Sequence, residues 1–366
     1  MSMKTNLTAA ALALFLAACA HNPSDSIPLA AQGSFTVGGG YVTHPGTFKQ
    51  ENFIAPDGQR AYGDFAYVKY QAPTNAKPLP LIFQHGGAQS SRTWESTVDG
   101  REGFDTLFLR KGYSVYLLDQ PRSGKSNLST QAVTPDTPWA SNPMYGDKTL
   151  WLLSRMGHYD GNGKPVANAQ FPEGEAAYQA FQQAWTIGSG PLDNDLNADV
   201  LAQLVGKTDG AILVTHSMGG TIGWRTALRS DKVKAIVAWE PGGTPFIFPE
   251  NEMPKITQAR FAALSGAAMG VPMNEFLKLT KIPIVLYYGD YIQVGSENVG
   301  EDKWGTELAM AKQFVDTINR HGGDATLVHL PEIGIKGNSH FLMGEKNNRQ
   351  LADLMAAWLK EKGLDR

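Results

Sequence analysis

The sequence AILVTHSMGGT at positions 211–221 decides the fold class of this 366-residue chain. It begins with four apolar residues of the kind that form a buried strand. The strand runs without a spacer into Ser217, which is followed by glycines and then by residues 222–229, which have the character of a helix. A serine on such a strained strand-to-helix turn presents its hydroxyl clear of the sheet. The pattern predicts an enzyme in which Ser217 is the nucleophile.

This turn departs at one position from the G-x-S-x-G pattern that is typical of nucleophile turns, because Thr215 stands where the first glycine is usual. A serine in a glycine turn that only caps a helix is therefore the alternative interpretation. The context of buried strand, tight turn and helix favours the nucleophile. The helix N-terminus behind Ser217 also favours developing negative charge.

Apolar stretches of the same kind recur along the chain on both sides of the turn. They are short, rich in β-branched or aromatic residues and separated by helical stretches, and they cover residues 79–84, 114–118, 211–214, 233–239, 282–288 and 325–330. Such strands imply a mostly parallel, doubly wound α/β sheet with helices on both faces. Alternation at residues 34–37 and 63–70 predicts antiparallel strands that begin the sheet. Residues 347–362 predict an amphipathic helix packed on the sheet.

Two intervals, at about residues 123–191 and 242–280, are too long for simple crossovers between strands. Long inserts in a compact fold are usually functional, so both are expected to form parts of a lid over the site. The first insert is rich in aromatic residues, namely Trp139, Tyr145, Trp151, Tyr159, Phe171, Tyr178, Phe181 and Trp185. The alternative interpretation is that these aromatic side chains fill a small core of the insert itself.

The composition is that of a compact enzyme domain, with 42% hydrophobic and 18% charged residues. The 32 basic and 35 acidic residues give a net charge of -3, which offers no electrostatic support for a nucleic-acid partner. The glycines at 38–40 lack the strand-then-helix setting of a dinucleotide loop, and no histidine pair has the helical spacing of metal ligands. The sequence implies no metal and no cofactor.

The start of the chain has the features of an export signal. Lys4 precedes an almost wholly apolar stretch, residues 7–20, and this pattern predicts a signal peptide over residues 1–20. The single cysteine, Cys19, ends a Leu-Ala-Ala-Cys motif that is similar to the bacterial lipobox, which predicts removal of residues 1–18 and a lipid anchor in the cell envelope. An ordinary signal peptide, which leaves a periplasmic or secreted enzyme, is the alternative. Residues 21–33 are expected to be a linker before a domain at 34–366.

A serine hydroxyl needs a neighbouring base, and a histidine supplies it in hydrolases of this kind. The base follows the nucleophile in chain order when the serine lies on such a turn. His321, His329 and His340 meet this condition. Only His340 falls in a loop directly after the last predicted strand, so it is the expected base.

The acid that orients the histidine has two candidates. Glu240 and Asp290 each follow a predicted strand that lies after the nucleophile, and their spacing leaves the choice between them open. The oxyanion donors are expected to be the N–H of Met218 and an N–H from the loop 85–88, with Gly87 preferred and Ala88 second. We expect His85, in the same loop, to have a structural role.

Three separated blocks, at residues 112–120, 239–242 and 337–343, resemble a small group of bacterial esterases with the α/β-hydrolase fold. The resemblance spans roughly residues 80–360. It implies cleavage of a small-molecule carboxylic ester through an acyl-enzyme on Ser217, and it favours Glu240 over Asp290 because the triad acid of that group follows the strand after the elbow. An acyltransferase with the same triad, or a non-catalytic envelope binding protein on the same fold, are the alternatives.

Overall fold

The computed structural model describes residues 26–131, 146–156, 165–186, 188–256, 259–261 and 266–366. The predicted signal peptide with Cys19 lies outside the described residues, and so do Trp139, Tyr145 and Tyr159 of the first insert.

The strands of the described residues form one large sheet and one small pair. In chain order they are β1 (Leu29–Thr43), β2 (Arg60–Pro73), β3 (Leu81–Gln84), β4 (Val115–Asp119), β5 (Ala211–His216), β6 (Val233–Trp239), β7 (Phe246–Pro249), β8 (Ala268–Val271), β9 (Pro283–Tyr288) and β10 (Asp324–His329). Each of the six predicted buried strands coincides with an observed strand within two residues at either end.

The large sheet has the order β1-β2-β4-β3-β5-β6-β9-β10. Strand β2 runs antiparallel to β1 and β4, and the remaining neighbours are parallel. The predicted doubly wound sheet with an antiparallel start is therefore confirmed. Because β5 lies in the middle of the parallel strands, the residue that follows it sits at the centre of the carboxyl edge, where sheets of this type bind ligands.

Helices cover both faces of the sheet. They are α1 (Phe104–Arg110), α2 (Asp147–Leu153), α3 (Glu175–Gln183), α4 (Asn194–Lys207), α5 (Gly219–Arg229), α6 (Met273–Phe276), α7 (Val299–Arg320) and α8 (Asn348–Glu361). The last of these is the predicted terminal helix. No helix among the described residues combines the length and the apolar character that crossing a bilayer requires.

The alternation of side chains along the strands divides the core into two layers. On β5, Ile212 and Val214 belong to the layer beneath α1 and α8, while Leu213 belongs to the layer beneath α4, α5 and α7. All three side chains are fully buried. A strand that is apolar on both faces is the expected result, because helices exclude water from both sides of the sheet.

The first strand begins earlier than the sequence indicates. Residues 21–33 were expected to be linker, yet β1 starts at Leu29 and pairs along its length with β2. Gly38 and Gly39 continue this strand with φ values of 75° and 92°. A Cβ on Gly38 would lie 2.5 Å from Cγ2 of Val200 on α4, so the glycine allows this helix to approach the strand.

The aromatic residues of the first insert form a small core of their own. Its buried members are Leu150, Trp151, Met156, Phe171, Tyr178 and Phe181. The ring of Phe181 also packs edge-on against Phe341 at 4.9 Å, which brings this core beside the loop that carries His340. The described aromatic side chains thus follow the alternative interpretation, an internal core, while the insert still lies against the predicted site.

Strand β7 of the second insert belongs to the main core, and β8 packs against it. Strands β7 and β8 pair in parallel, and the rings of Phe246 and Phe248 pack against Phe314 of α7 at 5.3 and 6.0 Å. These residues support the layer beneath α5 and α7. The expectation that this interval forms a lid is therefore not met by β7, whose side chains are buried in the domain.

We expect Gly103→Ala to lower the free energy of unfolding by about 2 kcal/mol, because a Cβ at this position, directly before α1, would lie 1.5 Å from the carbonyl oxygen of Glu95 and would force the backbone to move. The measurement is urea denaturation followed by circular dichroism. Gly146→Ala is the matched control, since Gly146 stands at the same position before α2 and a Cβ there would meet nothing within 4 Å. Equal destabilisation by the two substitutions would contradict this account.

Candidate active site

Ser217 lies on a sharp turn between β5 and α5. Its φ of 53° is in the left-handed region, which is strained for a residue with a side chain. The Ser217 N–H donates to the carbonyl of Trp239 at 3.0 Å, and the Gly220 N–H donates to the carbonyl of Ser217 at 3.0 Å. These bonds hold the strained turn against β6 and the start of the helix.

The glycines that follow the serine are required by close contacts. A Cβ on Gly219 would lie 2.7 Å from the carbonyl oxygen of His85, and one on Gly220 would lie 2.7 Å from Cβ of Pro241. Any side chain at these two positions would push the turn away from the neighbouring loops. Lack of room therefore explains the glycine at both positions.

Thr215 stands where the first glycine of the turn is usual, and a glycine on the facing helix leaves room for its side chain. Thr215 is fully buried, and the facing residue on α5 is Gly223, where a Cβ would lie 3.0 Å from Cγ2 of Thr215. The threonine methyl group occupies space that a side chain on the helix would otherwise need. The departure from the motif thus leaves the strand, turn and helix geometry intact.

The structure brings Ser217, His340 and Glu240 together. Nε2 of His340 lies 3.0 Å from Oγ of Ser217, and its Nδ1 lies 3.2 Å from Oε2 of Glu240. All three residues are buried. With a neutral imidazole, the serine hydroxyl donates to Nε2 and the Nδ1–H donates to the carboxylate, which is the hydrogen-bond pattern of a nucleophile, a base and its orienting acid.

The other candidate acid, Asp290, contacts the backbone instead of the imidazole. Its carboxylate accepts hydrogen bonds from the N–H groups of Gly337 at 2.9 Å and Tyr291 at 2.8 Å. Its own N–H donates to the carbonyl of Asn338 at 2.7 Å. Asp290 therefore stabilises the loop that carries His340 through hydrogen bonds to its backbone.

The remaining histidine candidates lie elsewhere. His321 caps the C-terminus of α7 and pairs with Glu252 at 3.1 Å, while His329 ends β10 and lies 3.2 Å from Glu332. His85 is buried in the predicted oxyanion loop, where its Nδ1 lies 2.8 Å from the carbonyl oxygen of Gly86 and burial lowers its pKa. The placement of His85 agrees with the structural role expected for it, and none of the hydrogen bonds among the described residues joins His321 or His329 to Ser217.

The loop 85–88 lies against the nucleophile turn. A Cβ on Gly86 would lie 2.8 Å from Cβ of Ser217, and one on Gly87 would lie 2.3 Å from Sδ of Met218. In the part of the chain that the structure describes, no hydrogen bond occupies the N–H of Gly87 or of Met218. The N–H groups of the two predicted oxyanion donors are thus unpaired among the described residues, and they belong to two segments that contact each other beside Ser217.

His216 was not identified from the sequence, although it directly precedes the nucleophile. Its Nε2 donates to the main-chain carbonyl of His340 at 2.8 Å, and the two rings lie 4.5 Å apart. Burial, together with the neighbouring His340, holds the pKa of His216 well below its ordinary value. His216 is therefore a neutral donor that anchors the backbone of the base.

A short segment of the first insert also reaches the site. Nη2 of Arg155 lies 2.7 Å from Oε1 of Glu240, and both side chains are fully buried. The indole Nε1 of Trp304 on α7 donates to the carbonyl of Leu153 at 2.8 Å, and the indole ring lies 4.0 Å from the imidazole of His340. Nothing in the local sequence pattern of the insert indicated these contacts.

The electrostatic surroundings keep His340 neutral. Burial lowers its pKa well below the ordinary value, and the cations of Arg155 and Lys303 lower it further. A neutral imidazole at neutral pH is able to take a proton from the serine.

In the neighbouring loop, burial raises the pKa of Glu345 to about 7, while its carboxyl group accepts a hydrogen bond from the N–H of Ser339 at 2.8 Å.

Residues of the first insert, of the segment 89–98 and of the segment 341–344 line a cavity of about 120 Å³. Gln89, two residues after Gly87, and Phe341, directly after His340, form part of its wall. Its apolar lining includes Val98, Phe171, Phe181, Trp185 and Met343. Among the described residues, no group of three or more side chains is arranged to hold a metal ion.

Several known proteins are similar to this chain in sequence or in structure. The family model described as "Alpha/beta hydrolase family" matches residues 81–365. A solved structure described as a novel bacterial esterase is 31% identical, with a TM-score of 0.71 over 93% of this chain and 98% of its own. A curated relative named "Probable secreted lipase phiG", from Fungal sp. (strain ATCC 74256), is 28% identical over 325 residues, which cover 81% of this chain and 85% of the relative.

The family model extends from β3 over the nucleophile turn to the loop that carries His340, and the matches agree with the α/β-hydrolase fold that the sequence predicts. The chain belongs to the alpha/beta hydrolase family.

Proposed function

We propose that this protein is a serine hydrolase that cleaves a carboxylic ester through an acyl-enzyme on Ser217, with His340 as the base and Glu240 as the acid. The observation that carries the proposal is the unbroken chain of hydrogen-bond distances from Ser217 Oγ to His340 Nε2, 3.0 Å, and from His340 Nδ1 to Glu240 Oε2, 3.2 Å. Nucleophile, base and orienting group are the parts that acyl transfer requires.

In the first half of the proposed reaction, Oγ of Ser217 attacks the ester carbonyl carbon while His340 Nε2 takes the hydroxyl proton. The carbonyl oxygen becomes an oxyanion, which the N–H groups of Met218 and Gly87 stabilise. Collapse of this tetrahedral intermediate breaks the bond to the alkoxy group. His340 returns its proton to the departing oxygen, so the alcohol leaves and the acyl group stays on Ser217.

In the second half, a water molecule attacks the acyl carbon while His340 accepts a proton from it. The same N–H groups stabilise the second oxyanion, and the proton on His340 returns to Oγ as the carboxylic acid departs. The carboxylate of Glu240 holds His340 in the tautomer with a proton on Nδ1 and stabilises the imidazolium in both halves.

The relatives support ester cleavage as the reaction class. The matched solved structure is described as an esterase and the curated relative is named a lipase, and both activities break carboxylic esters. An acyltransferase would use the same triad with an alcohol or amine in place of water. A non-catalytic binding protein would have no need for a buried serine, histidine and glutamate at hydrogen-bond distances or for free N–H groups beside them.

We propose further that the cavity of about 120 Å³ beside the site receives one side of the ester. Its wall includes Phe341, which follows His340, and Gln89, two residues after Gly87, so its lining is continuous in sequence with two segments of the proposed site. A cavity near 150 Å³ holds a molecule the size of benzene. The preferred substrates are therefore esters with a short acyl or alcohol group.

Ser217→Ala and Glu240→Gln are expected to lower kcat/KM for p-nitrophenyl butyrate by about 10³-fold or more, because each removes one member of the triad. Asp290→Asn should retain activity within about tenfold, since Asp290 contacts the backbone of the loop. Ser230→Ala, at the far end of α5, is the matched serine control. Activity of each variant is measured on protein whose fold has been checked by circular dichroism.

Full activity of a folded Ser217→Ala variant would overturn the proposed nucleophile. Loss of activity in Asp290→Asn, with survival of Glu240→Gln, would move the acid to Asp290. A parent enzyme that reacts with neither esters nor a fluorophosphonate probe would favour the binding protein. Transfer of the acyl group to added alcohols in preference to water would favour the acyltransferase.

Ala180→Leu should shift the substrate preference toward shorter esters, because Ala180 on α3 lines the cavity and the larger side chain fills part of it. We expect kcat/KM for p-nitrophenyl hexanoate to fall by about tenfold relative to p-nitrophenyl acetate. Ala176→Leu, on the exposed face of the same helix, should leave the ratio unchanged. An unaltered chain-length profile in Ala180→Leu would exclude this cavity as the substrate pocket.

We also propose export and a lipid anchor on Cys19. The apolar stretch at 7–20 and the relative named as a secreted lipase support export, and the motif at residues 16–19 supports lipidation. Cys19→Ser should abolish incorporation of radiolabelled palmitate and move the enzyme from the membrane fraction to the soluble fraction. A parent protein that already appears in the soluble fraction without label would indicate an ordinary signal peptide.

A further inference from the structure

Three consecutive residues of the first insert contact the proposed triad or Trp304, the residue that packs on His340. The carbonyl of Leu153 accepts from Trp304, the carbonyl of Ser154 accepts from the main-chain N–H of His340 at 3.0 Å, and the guanidinium of Arg155 pairs with Glu240. We infer that this segment, residues 153–155, completes the site and that Arg155 is a positioning residue for Glu240 and His340. This inference rests on the proposed function of the triad.

The two carboxylate oxygens of Glu240 have different hydrogen-bond partners. Oε1 accepts from Nη2 of Arg155 at 2.7 Å and from the N–H of Gly289 at 2.5 Å, whereas Oε2 faces Nδ1 of His340. A glutamate has one more rotatable bond than an aspartate, so its carboxylate needs more restraint to keep one oxygen on the imidazole. Arg155 and Gly289 supply that restraint by holding the oxygen that does not face His340.

Arg155 is itself held rigidly. Its Nε donates to the carbonyl of Asp290 at 2.9 Å, its guanidinium carbon lies 5.3 Å from the ring centre of Trp304, and its backbone has a φ of 61°. A planar guanidinium has its N–H donors in a fixed geometry, so it orients a bound carboxylate better than a flexible ammonium group does. The backbone of the insert and of the loop after β9 therefore fixes Arg155, and Arg155 in turn fixes the orientation of the Glu240 carboxylate.

A role in stability alone accounts poorly for this pair. Arg155 and Glu240 are both fully buried, and the desolvation of such a pair commonly cancels the Coulomb attraction between the charges. Nη1 of Arg155 is also buried and has no hydrogen-bond partner among the described residues, which adds a cost. An apolar side chain would fill the same space without these costs, so the charge and the fork of donors have another use.

The charge of Arg155 acts on the base through space. Titratable or charged groups around His340 and its partners come from several elements, namely Glu240, Arg155, His216, Lys303, Glu307 and Glu345. Burial lowers the pKa of His340, and Arg155 lowers it further. Hydrolysis needs the neutral imidazole, so activity falls as the pH drops through this pKa. Removal of the positive charge should therefore move the acid limb of the pH profile to higher pH.

The test compares Arg155→Met with Arg155→Lys in the full-length enzyme, with p-nitrophenyl butyrate as substrate. Arg155→Met should lower kcat by about 10- to 100-fold, because His340 loses its alignment. KM should change less, because the substrate pocket stays intact. The acid limb of kcat/KM should move to higher pH. Arg155→Lys keeps the charge, so its acid limb should stay at the parental pH and its kcat should recover in part.

Arg122→Met is the control for loss of a buried ion pair. Arg122 also has a positive φ, 66°, and its Nε lies 2.8 Å from Oδ1 of the buried Asp64; its side-chain hydrogen bonds go to Asp64 and Pro191 and to no triad residue. This variant should lose thermal stability but keep the parental acid limb. If Arg155→Met lowers only the melting temperature and leaves kcat and the acid limb in place, Arg155 is structural and the inference is wrong. If the parent enzyme neither hydrolyses the ester nor reacts with a fluorophosphonate, the proposed function itself fails.

Discussion

The structure depends on the way in which one imidazole ring is held. His340 has a partner for each of its polar groups: its main-chain N–H and carbonyl bond to Ser154 and His216, and its ring nitrogens face Ser217 and Glu240. The indole of Trp304 covers one face of the ring. A base that must shuttle a proton between fixed oxygens gains most from such restraint, because misalignment of the order of 1 Å lowers the rate strongly.

Most of the framework of this site could be predicted because it depends on local patterns. Apolar strands and the glycine turn identify the sheet and Ser217, and a loop after the last strand identifies His340. Glu240 and Asp290 could not be separated by spacing, since both follow strands at the same edge of the sheet. Arg155 and Trp304 were missed because their roles arise from tertiary contacts, and the early start of β1 was missed because its first residues are largely exposed and carry no alternating apolar pattern.

Backbone strain is concentrated where the site is assembled. Ser217, Glu240 and Arg155 all have left-handed φ values, between 48° and 61°. Each such residue costs about 1–3 kcal/mol unless its surroundings enforce the conformation. The enforcing contacts are the glycine-rich turn for Ser217, the hydrogen bond from the Glu240 N–H to the carbonyl of Tyr287, and the guanidinium contacts of Arg155. The two buried core layers of the domain offset the free-energy cost of these strained backbone conformations.

The contact between Thr215 and Gly223 has a consequence for the ancestry of the site. Alanine at position 223 together with threonine at 215 would require one of the two side chains to move by a few tenths of an ångström, because a Cβ at 223 would lie 3.0 Å from Cγ2 of Thr215. The two positions are therefore expected to vary together among homologous chains. A motif search that demands glycine two residues before the nucleophile would overlook chains that, like this one, carry threonine there.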